Sequence, residues 1–161
     1  MNIQLLHYQV LLIISVGYYN QNNNSIVSES SNGYTRYGNI KPDIVAGGSN
    51  ALVTIPGGAT SVMSGSSVAG AVVAGCCALI LQWAVTDGNY PDIYSSQIKT
   101  YIISGAKTRP GDIYPNKQWG YGMFDLQGVF DWIQQTYTPR INTDFEEYRV
   151  KNLFIRKPRD L

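Results

Sequence analysis

The hydrophobic pattern changes character several times along the chain. Val10 to Val16 is an aliphatic run, broken only by Ser15 and closed by Gly17, the pattern of a buried strand. Tyr18 to Asn39 is polar and turn-rich, with Asn20 to Ser25 and Ser28 to Gly33 marking a loop that crosses the surface. Ser64 to Val85 reads SGSSVAGAVVAGCCALILQWAV, carries no charge, and is too long for an ordinary strand. At helical spacing Val72, Val73, Leu79, Ile80 and Trp83 supply bulk, while Ala69, Gly70, Ala74 and Gly75 leave room for close packing. Asp87-Gly88 offers a left-handed stop. A helix apolar on every side is what the centre of a layered α/β protein requires.

Beyond Gly88 the order is loop, helix, loop, helix, strand. Ser95 and Ser96 are placed to cap a helix whose apolar positions Ile98, Tyr101 and Ile102 share one face and which Gly105 ends. Lys107 to Lys117 is a connection with turns at Pro110-Gly111 and Pro115-Asn116. Asp125 is placed to cap a helix from Leu126 to Gln135, and Leu153-Phe154-Ile155-Arg156 reads as a short terminal strand. No internal repeat or low-complexity region interrupts this order.

Composition narrows the classes. At 161 residues the chain holds one core and is too short for two ordinary domains. A formal charge of +1, with no Lys or Arg in the first 35 residues, gives no footprint for nucleic acid. The basic residues of the tail, Arg149, Lys151, Arg156, Lys157 and Arg159, read as a solvated terminus. Val68 to Val85 has the length of a membrane span. Gln82 within it, its glycines and alanines, and the lack of a flanking basic cluster favour a protein core, so no membrane partner is expected. Cys76 and Cys77 are sequence neighbours on a helix, point in different directions, and read as small packing residues that form no disulfide. The amino terminus lacks the cationic start of a secretory signal, and the compartment stays open.

The chemistry gathers at the start of the uncharged run. A Gly65-Ser66-Ser67 turn emptying into a helix places a serine hydroxyl beside the helix's free N–H groups, an arrangement suited to acyl transfer. Gly65-Ser66-Ser67-Val68-Ala69-Gly70-Ala71-Val72-Val73-Ala74-Gly75 resembles the nucleophile segment of the subtilases, the subtilisin-like serine proteases, whose pattern is Gly-Thr-Ser-Met-Ala-x-Pro-His-Val-x-Gly. Ser66 stands for the Thr, and Ala71-Val72 replaces Pro-His. Ile13-Ile14-Ser15-Val16-Gly17 is similar to the family's Val-Ile-Thr-Val-Gly strand. Lys41-Pro42-Asp43-Ile44-Val45-Ala46 is similar to its Lys-Pro-Asp segment, with Gly47-Gly48 in place of Pro-Gly. Trp119-Gly120-Tyr121-Gly122 is similar to the Gly-Tyr-Gly before its last helix. Further short motifs, among them Gly33-Tyr34-Thr35-Arg36 and Gly105-Ala106-Lys107, resemble subtilases of clostridia, including those acting in spore germination. The resemblance covers roughly residues 13 to 157.

What it implies is the C-terminal portion of a subtilisin-like three-layer α/β fold, a parallel sheet flanked by helices. The whole chain, 1–161, then reads as one incomplete peptidase domain, with 1–12 unmatched and 140–161 a terminal extension. The implied function is a serine endopeptidase acting on peptides or proteins, with no cofactor and no metal. Ser67 would be the nucleophile, and Gly65, Ser66 and the Ser67 backbone N–H would line the oxyanion and substrate site. Asp43 falls at a structural position, not that of the triad acid.

A serine needs a histidine to take its proton and an acid to orient that histidine. The one histidine, His7, lacks the family's His-Gly-Thr context, and none of Asn20, Asn22, Asn23 or Asn24 stands in the Ala-Gly-Asn context of the oxyanion asparagine. The expectation is therefore a nucleophile-bearing portion that needs the N-terminal half of the domain as partner and is inactive alone. The alternative is a non-catalytic pseudoprotease or an interaction fragment.

Overall fold

The computed structural model describes residues 13–137. Within them the order is β1 (Val16–Asn20), β2 (Ser25–Ile26), β3 (Gly33–Tyr34), β4 (Ile40–Lys41), β5 (Ile44–Gly47), β6 (Ala51–Ile55) and β7 (Ala59–Met63). The helices follow: α1 (Ser66–Leu81), prolonged by a π-helical turn (Gln82–Thr86), then α2 (Ser95–Ser104) and α3 (Leu126–Thr136).

The sheet that organises the core runs β2-β1-β5, with β1 and β5 parallel and β2 antiparallel. Its register pairs Val16 with Ile44 and Tyr18 with Ala46, so alternation puts these four side chains on one face. Against that face pack Ala69, Val73 and Ile80 of α1, Ile98, Tyr101 and Ile102 of α2, and Val129 and Ile133 of α3. Each large aliphatic side chain buried there contributes about 1.5–3 kcal/mol. Trp83 and Phe130 meet edge to face at 5.4 Å and join the end of α1 to α3. On the other face Tyr19 lies 5.7 Å from Trp119, which the Arg109 guanidinium covers at 4.9 Å.

The first strand starts later than the aliphatic run suggests. Val10 to Leu12 lie outside the described residues, and Ile13 to Ser15 are not in the strand. Ser15 is tied instead to Asp43, which accepts its backbone N–H at 2.8 Å and its hydroxyl at 2.9 Å. Gly17 is mid-strand, not a terminator: a Cβ there would lie 3.0 Å from both Pro42 Cγ and Ser30 Oγ. The polar stretch after it contains β2 and β3, the latter paired with β4 just beyond it, and its Ser30 is buried, accepting the Tyr18 N–H at 3.0 Å.

The pair β6-β7 is a hairpin that the sequence pattern left unassigned. It joins Leu52 to Val62 and Thr54 to Thr60 in antiparallel register around Pro56-Gly57-Gly58. Gly57 and Gly58 take φ of 90° and 76°, which glycine adopts without a steric penalty.

Helix α1 and its extension fill the predicted run, and Gly88 at φ 72° turns the chain away. Its surroundings differ from expectation. Ala69, Val73, Ile80 and Ala84 form one buried stripe, but Val72 and Leu79, expected in the core, are 45% and 52% exposed. Gly70 and Gly75 have no neighbour within 4 Å of a would-be Cβ, so neither admits a close packing partner among the described residues. An all-round apolar helix needs cover on every side, and sheet, α2 and α3 cover one. Ser66–Thr86 is long and apolar enough to cross a bilayer by length and composition, while its buried stripe packs on the sheet as a core helix does.

The serines expected to cap α2 lie inside its first turn; Tyr94 precedes it, and Gln97 Oε1 accepts the Tyr94 N–H at 2.8 Å. Asp125 precedes α3 as expected but does not cap it with its side chain, because its carboxylate pairs with Lys107 at 2.9 Å. Gly105 and Gly128 let α2 and α3 cross with backbones in contact. Cys76 and Cys77 are free and partly buried, and burial pushes both thiols above their ordinary value. Residues 153–156, expected as a strand, lie outside the described residues.

Candidate active site

The site lies where β5 ends, at the C-terminal edge of the parallel pair, the edge at which open α/β sheets carry their ligands. The start of β5 is anchored by Asp43, which is 5% exposed. Burial alone would raise its pKa. The Lys41 ammonium at 2.7 Å, the Ser15 N–H and hydroxyl, and Lys99 at 3.2 Å outweigh burial and hold it below the ordinary carboxylate value. The carboxylate is fully engaged in joining β1, β5 and α2, as its structural reading expects.

Past Gly47 the chain turns under the start of α1. The Gly48 N–H donates to the Tyr19 carbonyl at 3.2 Å, and the Gly48 carbonyl accepts the Gly65 N–H at 2.8 Å. A Cβ on Gly48 would stand 2.7 Å from the Gly65 carbonyl oxygen and 2.8 Å from Tyr18 Cβ. Two residues on, the Asn50 N–H donates to Ser64 Oγ at 2.8 Å. The turn before Ser67 is thus held at Ser64 and Gly65 by the turn leaving β5.

Gly65, at φ 148° and ψ 165°, takes a conformation that side chains rarely adopt and starts α1. Its carbonyl accepts from the Val68 and Ala69 N–H groups at 3.1 and 3.2 Å. Ser66 and Ser67 are the first two helical residues, both exposed. Their N–H groups have no intrahelical acceptor, and the helix dipole adds partial positive charge at the same point. Gly65, Ser66 and Ser67 are consecutive residues at this helix start, where the exposed Ser67 side chain lies beside N–H groups that have no intrahelical acceptor.

The other sequence candidates lie elsewhere. His7 is outside the described residues, and among the described residues there is no histidine. Asn20 and Asn23 spend their side-chain carbonyls on the turn after β1, accepting from Asn22 N–H at 3.0 Å and Ser25 N–H at 3.1 Å. No cluster of three His, Cys, Asp or Glu side chains able to hold a metal occurs among the described residues. Sequence reasoning missed Gly48, Asn50 and Ser64; the doubled glycine after the Lys-Pro-Asp strand was the available signal.

A strand turn, a glycine clamp and a serine at a helix start can be compared with known proteins. The model of the subtilase family matches residues 7–122. The chain belongs to the subtilase family. It is 36% identical to pyrolysin of Pyrococcus furiosus over 139 residues, covering 74% of this chain and 10% of that protein. The CspB protease of Clostridium perfringens superimposes with a TM-score of 0.72 at 39% identity, covering 78% of this chain and 27% of that one. The patellamide maturation protease PatA shares the fold, with a TM-score of 0.63 at 24% identity, covering 78% of this chain and 44% of the other. The chain therefore spans less than half the length of each of these subtilase-fold relatives, and its α/β architecture is subtilisin-like.

Proposed function

We propose that this chain is the nucleophile-bearing portion of a serine endopeptidase, with Ser67 as the attacking group. The observation that carries the reading is the position of Ser67: second residue of an exposed helix start, behind a glycine of restricted conformation, within a segment the subtilase family model matches. The Ser67 N–H, with Gly65 and Ser66 shaping the turn, would receive the oxyanion that forms when a peptide carbonyl is attacked. Peptides or proteins are the substrates.

The proton from Ser67 needs a base. Lys41 and Lys99 are committed to Asp43, and the helix end at an exposed site contributes only about 0.3–1 kcal/mol, far short of a general base. In this reading the histidine and acid come from parts of a subtilase domain outside these 161 residues, and the uncovered apolar side of α1 is where those parts pack. The 161-residue chain alone then neither cleaves peptides nor reacts with a fluorophosphonate. Mixed with the upstream half of the CspB protease domain, it should become labelled, and Ser67→Ala should abolish labelling. Labelling that survives Ser67→Ala overturns the nucleophile assignment. A verified, folded complex that does not label points to a pseudoprotease.

A further inference from the structure

One side chain near the candidate site is unused by this reading. Gln21 follows β1 and is exposed, yet its amide grips one backbone unit on the neighbouring turn from both sides. Its Nε2 donates to the Ser49 carbonyl at 2.6 Å, and its Oε1 accepts the Ser49 N–H at 3.3 Å. Ser49 sits between the two residues that hold the nucleophile turn, Gly48 through Gly65 and Asn50 through Ser64. The side chain reaches Ser49 by lying across Gly47, where a Cβ would meet Gln21 Oε1, Cβ and Cδ at 3.3, 3.4 and 3.5 Å. Gly47, the position at which the chain departs from the family's Pro, leaves that path open.

We infer that Gln21 is a positioning residue for the Ser67 turn, acting through Ser49. The inference rests on the reading of Ser67 as nucleophile, but its physical content is the shape of the turn. A glutamine amide that satisfies both the backbone donor and the backbone acceptor of one residue replaces a missing strand pair, and so fixes Ser49 without a ladder. Fixing Ser49 fixes Gly48 and Asn50 on either side, and these carry the hydrogen bonds from the β5-β6 turn to Gly65 and Ser64. The hydrogen bonds of the Gln21 amide go to Ser49 and not to Ser67.

The test uses the full chain and amide hydrogen exchange read by NMR. Gln21→Ala should speed exchange at Ser49, Asn50 and Gly65 by about fivefold or more and shift the Gly65 and Ser67 amide resonances, while α2 and α3 keep their protection. Gln21→Glu keeps the acceptor for the Ser49 N–H and loses the donor, so it should restore protection at Ser49 N–H and only part of that at Gly65. A change confined to Ser49, with Gly65 and Ser67 unmoved, overturns the inference and reduces Gln21 to a local turn brace. Unchanged exchange everywhere overturns it as well. These outcomes are independent of fluorophosphonate labelling, whose failure would count against the nucleophile assignment alone.

Discussion

Lys99 on α2 reaches Asp43 at the start of β5, Nζ to Oδ1 at 3.2 Å, and so ties a helix of the second half of the chain to the strand that leads to Ser67. The carboxylate is buried, and its pKa is held below the ordinary value. A group depressed in the folded state contributes stability above its unfolded pKa of about 3.9 and loses it as pH falls through the folded value. The chain should therefore lose stability in acid below about pH 4, and Asp43→Asn should flatten that part of the profile. At neutral pH the same substitution leaves two lysines facing a neutral amide and should cost about 3 kcal/mol. Urea unfolding at a series of pH values measures both effects.

Gly48→Ala should damage the site more than the fold. The new methyl group would press on the Gly65 carbonyl and on Tyr18, so the turn before Ser67 has to move. We expect a loss of about 1–3 kcal/mol from overpacking, together with at least a tenfold fall in labelling of the complemented chain. Circular dichroism with labelling kinetics separates the two; equal labelling rates would contradict the clamp.

Gly128→Ala should act through packing alone. The position faces the Gly105 backbone, and a methyl group there forces α2 and α3 apart. A loss of about 2–3 kcal/mol is expected, with the amide resonances of Ser66 and Ser67 unchanged. A stable variant would mean that the helices cross less closely.

The exposed apolar side of α1 should make the isolated chain bind hydrophobic dyes and associate. Val72→Lys with Leu79→Lys replaces two half-exposed aliphatic groups and should cost no more than about 0.5 kcal/mol each, while dye fluorescence and the sedimenting fraction fall. A parent chain that is monomeric, dye-silent and cooperative in unfolding would show that this side needs no cover.

Much of this architecture can be read from the residues. The helix from Ser66, the buried face of α2 and the place of α3 follow from helical spacing and from the residues that bound each helix. The start of β1 does not, because aliphatic continuity cannot reveal that Ser15 is diverted to Asp43. Nor does the exposure of Val72 and Leu79, since an all-round apolar helix signals a need for cover and not whether neighbours meet it. Gly65, Ser66 and Ser67 were legible as a local motif. The braces behind them were not, because Gly48 and Asn50 reach the turn through their own backbone groups and the Gln21 amide binds the Ser49 main chain, contacts that leave little trace in residue type.

The hold on the Ser67 turn is made largely of main chain: the Gly48 carbonyl, the Gly65 N–H and the Asn50 N–H. A frame of that kind does not record the side chains carried beyond it. Ala71 and Val72, which break with the family's Pro-His, sit on the exposed side of α1 and make none of those bonds. Exchanging them should be tolerated by the turn itself and felt by whatever surface comes to rest on the helix. Mutational tolerance around Ser67 should therefore divide by direction, narrow toward the sheet and wide away from it.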